Sequence, residues 1–253
     1  MPHFPVLRWG KPYESLDRNP VIHFATGEEL GEVSQANAGL VVRDMRKMHQ
    51  AREALTEIPI PELCARLGKA AELFLSGNVD GGAGTPQEFV KSQSATTGLP
   101  EHMCYGNMKK LHYVLTNLSD ILGALTRDLD PDVLTVGNYV ENGVRRSRQA
   151  TTPALGMVLP SNSPGTHGLW MPVIALQIGL VLKPGSAEPW TPFRMANAFF
   201  EAGIPREAIS VYAGPREVAQ AVMEHTPRKM IFGSQQTVEQ YAADPGVQVH
   251  GPG

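Results

Sequence analysis

The chain has 253 residues, 42% of them hydrophobic, which suits a packed core of one or two ordinary domains. Its 22 Lys and Arg nearly balance 25 Asp and Glu, leaving no excess positive field to follow nucleic acid phosphates or hold an anionic membrane, so neither partner is expected. No apolar run approaches the roughly 20 residues of a membrane helix, and MPHFPVLRWGKPYE has no apolar signal core, so a cytoplasmic location is the default expectation.

In chain order, PVIHF followed by TGEELGEVSQ reads as strand, Thr-Gly turn and strand, a hairpin ahead of helices. Helical spacing then runs from Leu40 to Leu55 and, after Pro59 and Pro61, from Leu63 to Leu75. The stretch GNVDGGAGTP breaks the chain before another short helix. Leu111, Leu115, Leu118, Leu122 and Leu125 predict one long amphipathic helix. The cluster Arg145, Arg146 and Arg148 is short and reads as a solvated strand or a partner contact.

After residue 154 the texture changes. LGMVL, a helix near Leu169 to Ile178, GLVLK, a helix near Thr191 to Ala202, ISVYA, a helix near Arg216 to Glu224, KMIFG, a helix near Gln235 to Ala242, and VQV alternate regularly. Ala202-Gly203-Ile204-Pro205 reads as a helix stop among them. Such alternation favours parallel strands joined by right-handed helical crossovers. The expected fold class is therefore α/β: a mostly parallel nucleotide-binding sheet with flanking helices, preceded by a helical N-terminal layer with a short β-hairpin. Residues 1–153 form the N-terminal region and 154–253 a Rossmann-like region.

No GxGxxG or GxxxxGK loop follows a predicted strand, so a nucleotide would need another device. Cys64 and Cys104 are too few and too far apart for a disulfide framework or a multi-cysteine zinc site, and both read as reduced, buried thiols. The histidines are dispersed without HxxxH or HExxH spacing, so no metal site is expected. The informative segments lie at predicted strand ends: Pro160-Ser161-Asn162-Ser163-Pro164, Val181-Leu182-Lys183-Pro184, Glu201-Ala202-Gly203-Ile204-Pro205 and Gly233-Ser234. Taken singly, each has an ordinary explanation: an Asn/Ser/Pro turn, a solvated lysine, a helix stop, a Ser N-cap.

Taken together, in this order and spacing, they resemble the aldehyde dehydrogenase family. Its P-x-N-x-P turn is matched at residues 160–164 and its V-x-K-P segment at 181–184. Its E-A-G-x-P segment is matched at 201–205, and the end of its F-x-G-S turn at Gly233 and Ser234. The phenylalanine of that turn corresponds to Ile231, or to Phe232 if the alignment shifts.

The resemblance implies NAD or NADP as cofactor, held by Lys183, Ser186, Gly233 and Ser234, and an oxyanion donor in Asn162, whose amide sits in a two-proline turn. Ser186 stands where the family often has a ribose-gripping glutamate, and losing that carboxylate makes NADP credible. His250 replaces the glutamate of the family's E-L-G-G segment. Histidine can accept a proton near neutral pH, while a missing glutamate also occurs in relatives that release the acyl group to coenzyme A. The implied reaction oxidises a small-molecule aldehyde through a thioester, with hydride transfer to NAD(P)+ and release to water or coenzyme A. The family's nucleophilic cysteine lies beyond the residues present here, so the chain alone is expected to be inactive, and a homo-oligomer is expected of the full-length protein. The competing expectation is a non-catalytic nucleotide-binding or scaffolding subunit.

Overall fold

The computed structural model describes residues 1–79 and 84–251. Five short strands open the chain: β1 (His3–Phe4), β2 (Val6–Arg8), β3 (Lys11–Tyr13), β4 (Arg18–Ile22) and β5 (Glu29–Ser34). Helices α1 (Ala38–Met45), α2 (His49–Thr56), α3 (Ile60–Ser76), α4 (Pro86–Thr97), α5 (Glu101–Thr116), α6 (Leu118–Thr126) and α7 (Pro131–Val136) follow, then a hairpin of β6 (Asn138–Glu141) and β7 (Val144–Ser147). The remainder alternates β8 (Ala154–Val158), β9 (Gly179–Lys183), α8 (Trp190–Glu201), β10 (Ile209–Val211), α9 (Arg216–His225), β11 (Arg228–Phe232), α10 (Gln235–Tyr241) and β12 (Val247–His250). The mixed α/β fold with its central, mostly parallel sheet and flanking helices agrees with the alternation read in the sequence.

The main sheet has strand order β12-β11-β8-β9-β10-β2-β3. The strands from β12 to β10 are parallel, whereas β2 joins β10 and β3 joins β2 antiparallel. The first residues of the chain thus extend the sheet formed by the last hundred. Leu180, Val181 and Leu182 on β9 are wholly buried because helices cover both faces, as a parallel sheet requires. The expected hairpin is β4 against β5, with β1 parallel on the other side of β5.

Local chemistry explains the helices. On α3, Leu63, Leu67, Ala70, Ala71 and Phe74 form the buried stripe, and Pro61 sits in the first turn, where a missing N–H is harmless. Helix α4 begins with a capping box between Thr85 and Glu88 and ends at Gly98, whose φ of 75° is open to glycine at little steric penalty. The break foreseen at GNVDGGAGTP lies partly in residues 80–83, outside the described residues.

Three sequence expectations need correction. The long Leu111–Leu125 helix is two helices, because the Asn117 carboxamide donates to the Tyr113 carbonyl at 2.8 Å and the residue leaves helical geometry. The Leu40–Leu55 stretch is likewise split into α1 and α2, the link tightening through a bond from the Lys47 N–H to the Asp44 carbonyl at 2.9 Å. The helix expected near Leu169–Ile178 is two 3-10 segments, Pro164–Leu169 and Met171–Leu176. Pro164, Gly165, Gly168 and Pro172 disfavour a continuous α-helix there.

Candidate functional site at the carboxyl edge of the sheet

In an open parallel sheet, ligands sit beyond the carboxyl ends of the strands. Strands β8 and β9 run side by side in a register that pairs Val158 with Lys183, and the Leu159 N–H donates to the Lys183 carbonyl at 2.9 Å. Asn162 and Lys183 therefore lie at the same end of neighbouring strands. Asn162 and Ser186 are both exposed, each on the turn that leaves its strand.

The two turns touch through backbone. A Cβ added to Gly185 would come within 2.6 Å of the Ser161 Cα and 2.7 Å of the Pro160 carbonyl carbon, so only glycine permits this approach.

A cleft opens on either side of the touching turns. On one side, a cleft of about 520 Å³ is lined by Lys183, Ser186, Gly214 and Arg216, with two cations and no carboxylate among its lining residues. Burial pushes the Lys183 pKa below its ordinary value. On the other side, Asn162 borders a cleft of about 540 Å³ with Leu99, Met103, Leu169 and Lys110. A larger groove of about 830 Å³ runs between α9 and α10, and Arg216 lines it as well.

The structure thus brings Asn162, Lys183 and Ser186 together, while Gly233, Ser234 and His250 lie two and three strands away from β9. Ser234 stands at the N-terminus of α10, but its hydroxyl makes no capping bond. The Gly233 N–H donates to the His250 carbonyl at 3.0 Å. The His250 ring stacks on Phe232 at 4.8 Å and 15°, its Nε2 buried without a partner among the described residues.

Neither cysteine is activated. Burial raises the Cys64 thiol and pushes Cys104 up to about 11, with Glu188 adding to the effect on Cys104.

Arg216 escaped the sequence reading, although its signal was present: it follows Gly214-Pro215 just after β10, the same strand-end position that singled out Lys183. A buried pair, His167 with Glu188, also escaped, and no spacing rule would have found it.

A strand-end lysine and an asparagine turn packed on a glycine turn thus meet at the carboxyl edge of an open, mostly parallel sheet in an α/β protein. The aldehyde dehydrogenase family model matches residues 11–249, and the chain belongs to that family. Among curated relatives, malonate-semialdehyde dehydrogenase 2 of Oceanobacillus iheyensis is 23% identical over 231 residues, covering 90% of this chain and 45% of that protein. The chain thus spans less than half the length of this relative. Betaine aldehyde dehydrogenase from Staphylococcus aureus in complex with NAD+ superposes with a TM-score of 0.74 at 17% identity, covering 97% of this chain and 48% of that one. NADP-dependent glyceraldehyde-3-phosphate dehydrogenase from Bacillus halodurans C-125, complexed with NADP, gives 0.73 at 16% identity, with coverages of 98% and 52%. At such identities these structures establish the fold. No helix among the described residues is long and apolar enough to cross a membrane.

Proposed function

We propose that this chain is the cofactor-binding portion of an NAD(P)-dependent aldehyde dehydrogenase that oxidises an aldehyde through a thioester. The observation that carries the reading is the meeting of the Asn162 turn with the Lys183-to-Ser186 turn at one sheet edge. The cleft beside Lys183 fits a nucleotide: a half-buried ammonium, a second cation in Arg216 and no lining carboxylate all favour a phosphate-bearing ligand.

NAD(P)+, when bound, supplies the hydride acceptor. Lys183 and Ser186 orient its adenosine ribose, and the absence of an acid at 186 with Arg216 alongside suits a 2′-phosphate, so NADP+ is the favoured form. The Ser234 hydroxyl, not spent on capping, is free to donate to the pyrophosphate. Gly233, whose N–H is engaged by His250, contributes close backbone approach there.

Asn162 faces the other cleft, where its carboxamide N–H donates to the oxygen that becomes negative when a nucleophile adds to the aldehyde carbonyl. Leu99, Met103 and Leu169 shed water from that reaction, and Lys110 offers a cation to an acidic substrate. The curated relatives named malonate-semialdehyde dehydrogenases make a short aldehyde carrying a carboxylate the first substrate to try. His250 is assigned to proton acceptance during acyl release to water, a role open to its ring once it leaves Phe232; coenzyme A is the other acceptor.

Cys64 and Cys104 lie outside both clefts at the sheet edge, so the nucleophile is assigned to a region of the whole protein beyond these residues. This chain alone is then inactive. The exposed β6–β7 hairpin, with Val140 and Val144 outward, is assigned to subunit contact in a homo-oligomer.

Titration of the protein with NADP+ and NAD+, followed by quenching of tryptophan fluorescence, tests the core of this reading. Saturable binding is expected, tighter for NADP+. Absence of binding by either nucleotide would overturn it.

A further inference from the structure

Glu188 takes no role in the chemistry above, yet its carboxylate is wholly buried and fully bonded. Its Oε1 accepts from Gln93 Nε2 at 2.9 Å, from the Thr191 N–H at 3.0 Å and from the Thr191 hydroxyl at 2.8 Å. Its Oε2 lies 2.8 Å from Nε2 of His167, and neither side chain has any exposure. The Trp170 indole N–H donates to His167 Nδ1 at 3.0 Å. An indole nitrogen can only donate, so Nδ1 is the acceptor and the ring proton on Nε2 points at Glu188.

The placement of this network gives it a consequence. Glu188 closes the turn from 185 to 188 that presents Ser186, its N–H donating to the Gly185 carbonyl at 3.3 Å. His167 lies in the 3-10 segment Pro164–Leu169, which begins two residues after Asn162. The same two turns abut through Gly185 and Ser161. A cap for α8 alone would need only the two bonds from Thr191; the bond to His167 ties that cap to the other turn.

We propose that Glu188 and His167 are positioning residues that couple the two turns, so that a nucleotide phosphate seated against Lys183 and Ser186 also fixes the orientation of Asn162. The proposal rests on the dehydrogenase reading and extends it: cofactor binding organises the oxyanion donor before the aldehyde arrives.

Amide hydrogen exchange of the whole protein with and without saturating NADP+ tests the coupling without requiring turnover. In the wild type, NADP+ should slow exchange about tenfold in residues 183–191 and in residues 160–168 alike. His167→Leu leaves the Thr191 cap intact and should confine the slowing to residues 183–191. Glu188→Gln turns an amide N–H toward the His167 Nε2–H, and the ring cannot move its proton while Trp170 occupies Nδ1, so the coupling should again be lost.

Adding Trp170→Phe to Glu188→Gln frees Nδ1 to carry the proton. Nε2 then accepts from the new carboxamide, and slowing in residues 160–168 should return. Should Glu188→Gln unfold the protein, His167→Leu carries the test by itself. NADP+ protection of residues 160–168 persisting in His167→Leu, or failing to return in a folded double variant, would overturn the proposal. Wild-type protection of residues 183–191 without 160–168 overturns the coupling only, whereas no protection anywhere removes the dehydrogenase reading with it.

Discussion

Two cations, one wholly buried on helix α8 and one half-buried at the sheet edge, answer the same physical problem in opposite ways. Arg194 on α8 is wholly buried, and burial pushes its pKa down to about 10. Its guanidinium spends Nε on the Phe74 carbonyl at 3.0 Å, Nη1 on Gly84 at 2.7 Å and Nη2 on Gly77 at 2.7 Å. The rings of Phe74 and Phe89 lie 5.8 and 5.4 Å away. Lys183 is also lowered by burial, but it opens onto a cleft whose lining offers no carboxylate. A cation that spends each of its nitrogens on a carbonyl at the end of α3 or just before α4 belongs to the fold, whereas one left facing an open cleft is available to a ligand.

The comparison breaks first on the residue beside the lysine. In the whole protein, Asn162→Ala removes the donor assigned to the developing oxyanion and should lower kcat about 100-fold, with thermal stability unchanged because the side chain is exposed. Wild-type turnover in that variant would end the assignment. Arg194→Leu should do the reverse, destabilising the protein by about 3 kcal/mol or more as three carbonyls lose a charged donor, with NADP+ affinity unaltered in the fraction that folds. Denaturant unfolding reads the first effect and nucleotide titration the second.

Lys183→Met should weaken NADP+ binding about tenfold and leave stability equal or better, since a partly desolvated charge is removed. Its pH dependence sharpens the point. The folded-state pKa lies below the ordinary 10.5, so on raising pH the folded chain sheds this proton before the unfolded chain does. Between the lowered value and 10.5, stability should rise with pH while NADP+ affinity falls, and Lys183→Met should abolish both trends. Alkaline weakening of NADP+ binding that survives in the variant would assign it to another group.

What could be read from the residues divides along a similar line. Strands β8 to β12 and the helices between β9 and β12 were legible because short apolar runs alternate with amphipathic ones, and the strand-end segments gave both the edge and the family. The addition of β2 and β3 to the far side of the sheet was not, since pairing of Val211 with Leu7 spans nearly the whole chain and leaves no local pattern. The leucine spacing from Leu111 to Leu125 runs on through the break, which depends on the Asn117 side chain bonding backward to the Tyr113 carbonyl. The site shows the same limit: Lys183 and Asn162 were visible beside prolines, but Glu188 gains its meaning only from a histidine 21 residues away on another element.

The smallest expected effect concerns the thiols, and it tests whether the sheet edge alone carries the chemistry of this chain. With Cys104 pushed up to about 11, roughly one molecule in ten thousand carries its thiolate at pH 7. Cys64 is raised as well and sits against α6 near Ser119, away from both clefts. Alkylating reagents at neutral pH should therefore modify the native protein slowly, and the double variant Cys64→Ser, Cys104→Ser should bind NADP+ as the wild type does. Rapid modification of either cysteine, slowed by an aldehyde substrate, would place a nucleophile within these residues and move the reaction centre away from the Asn162 turn.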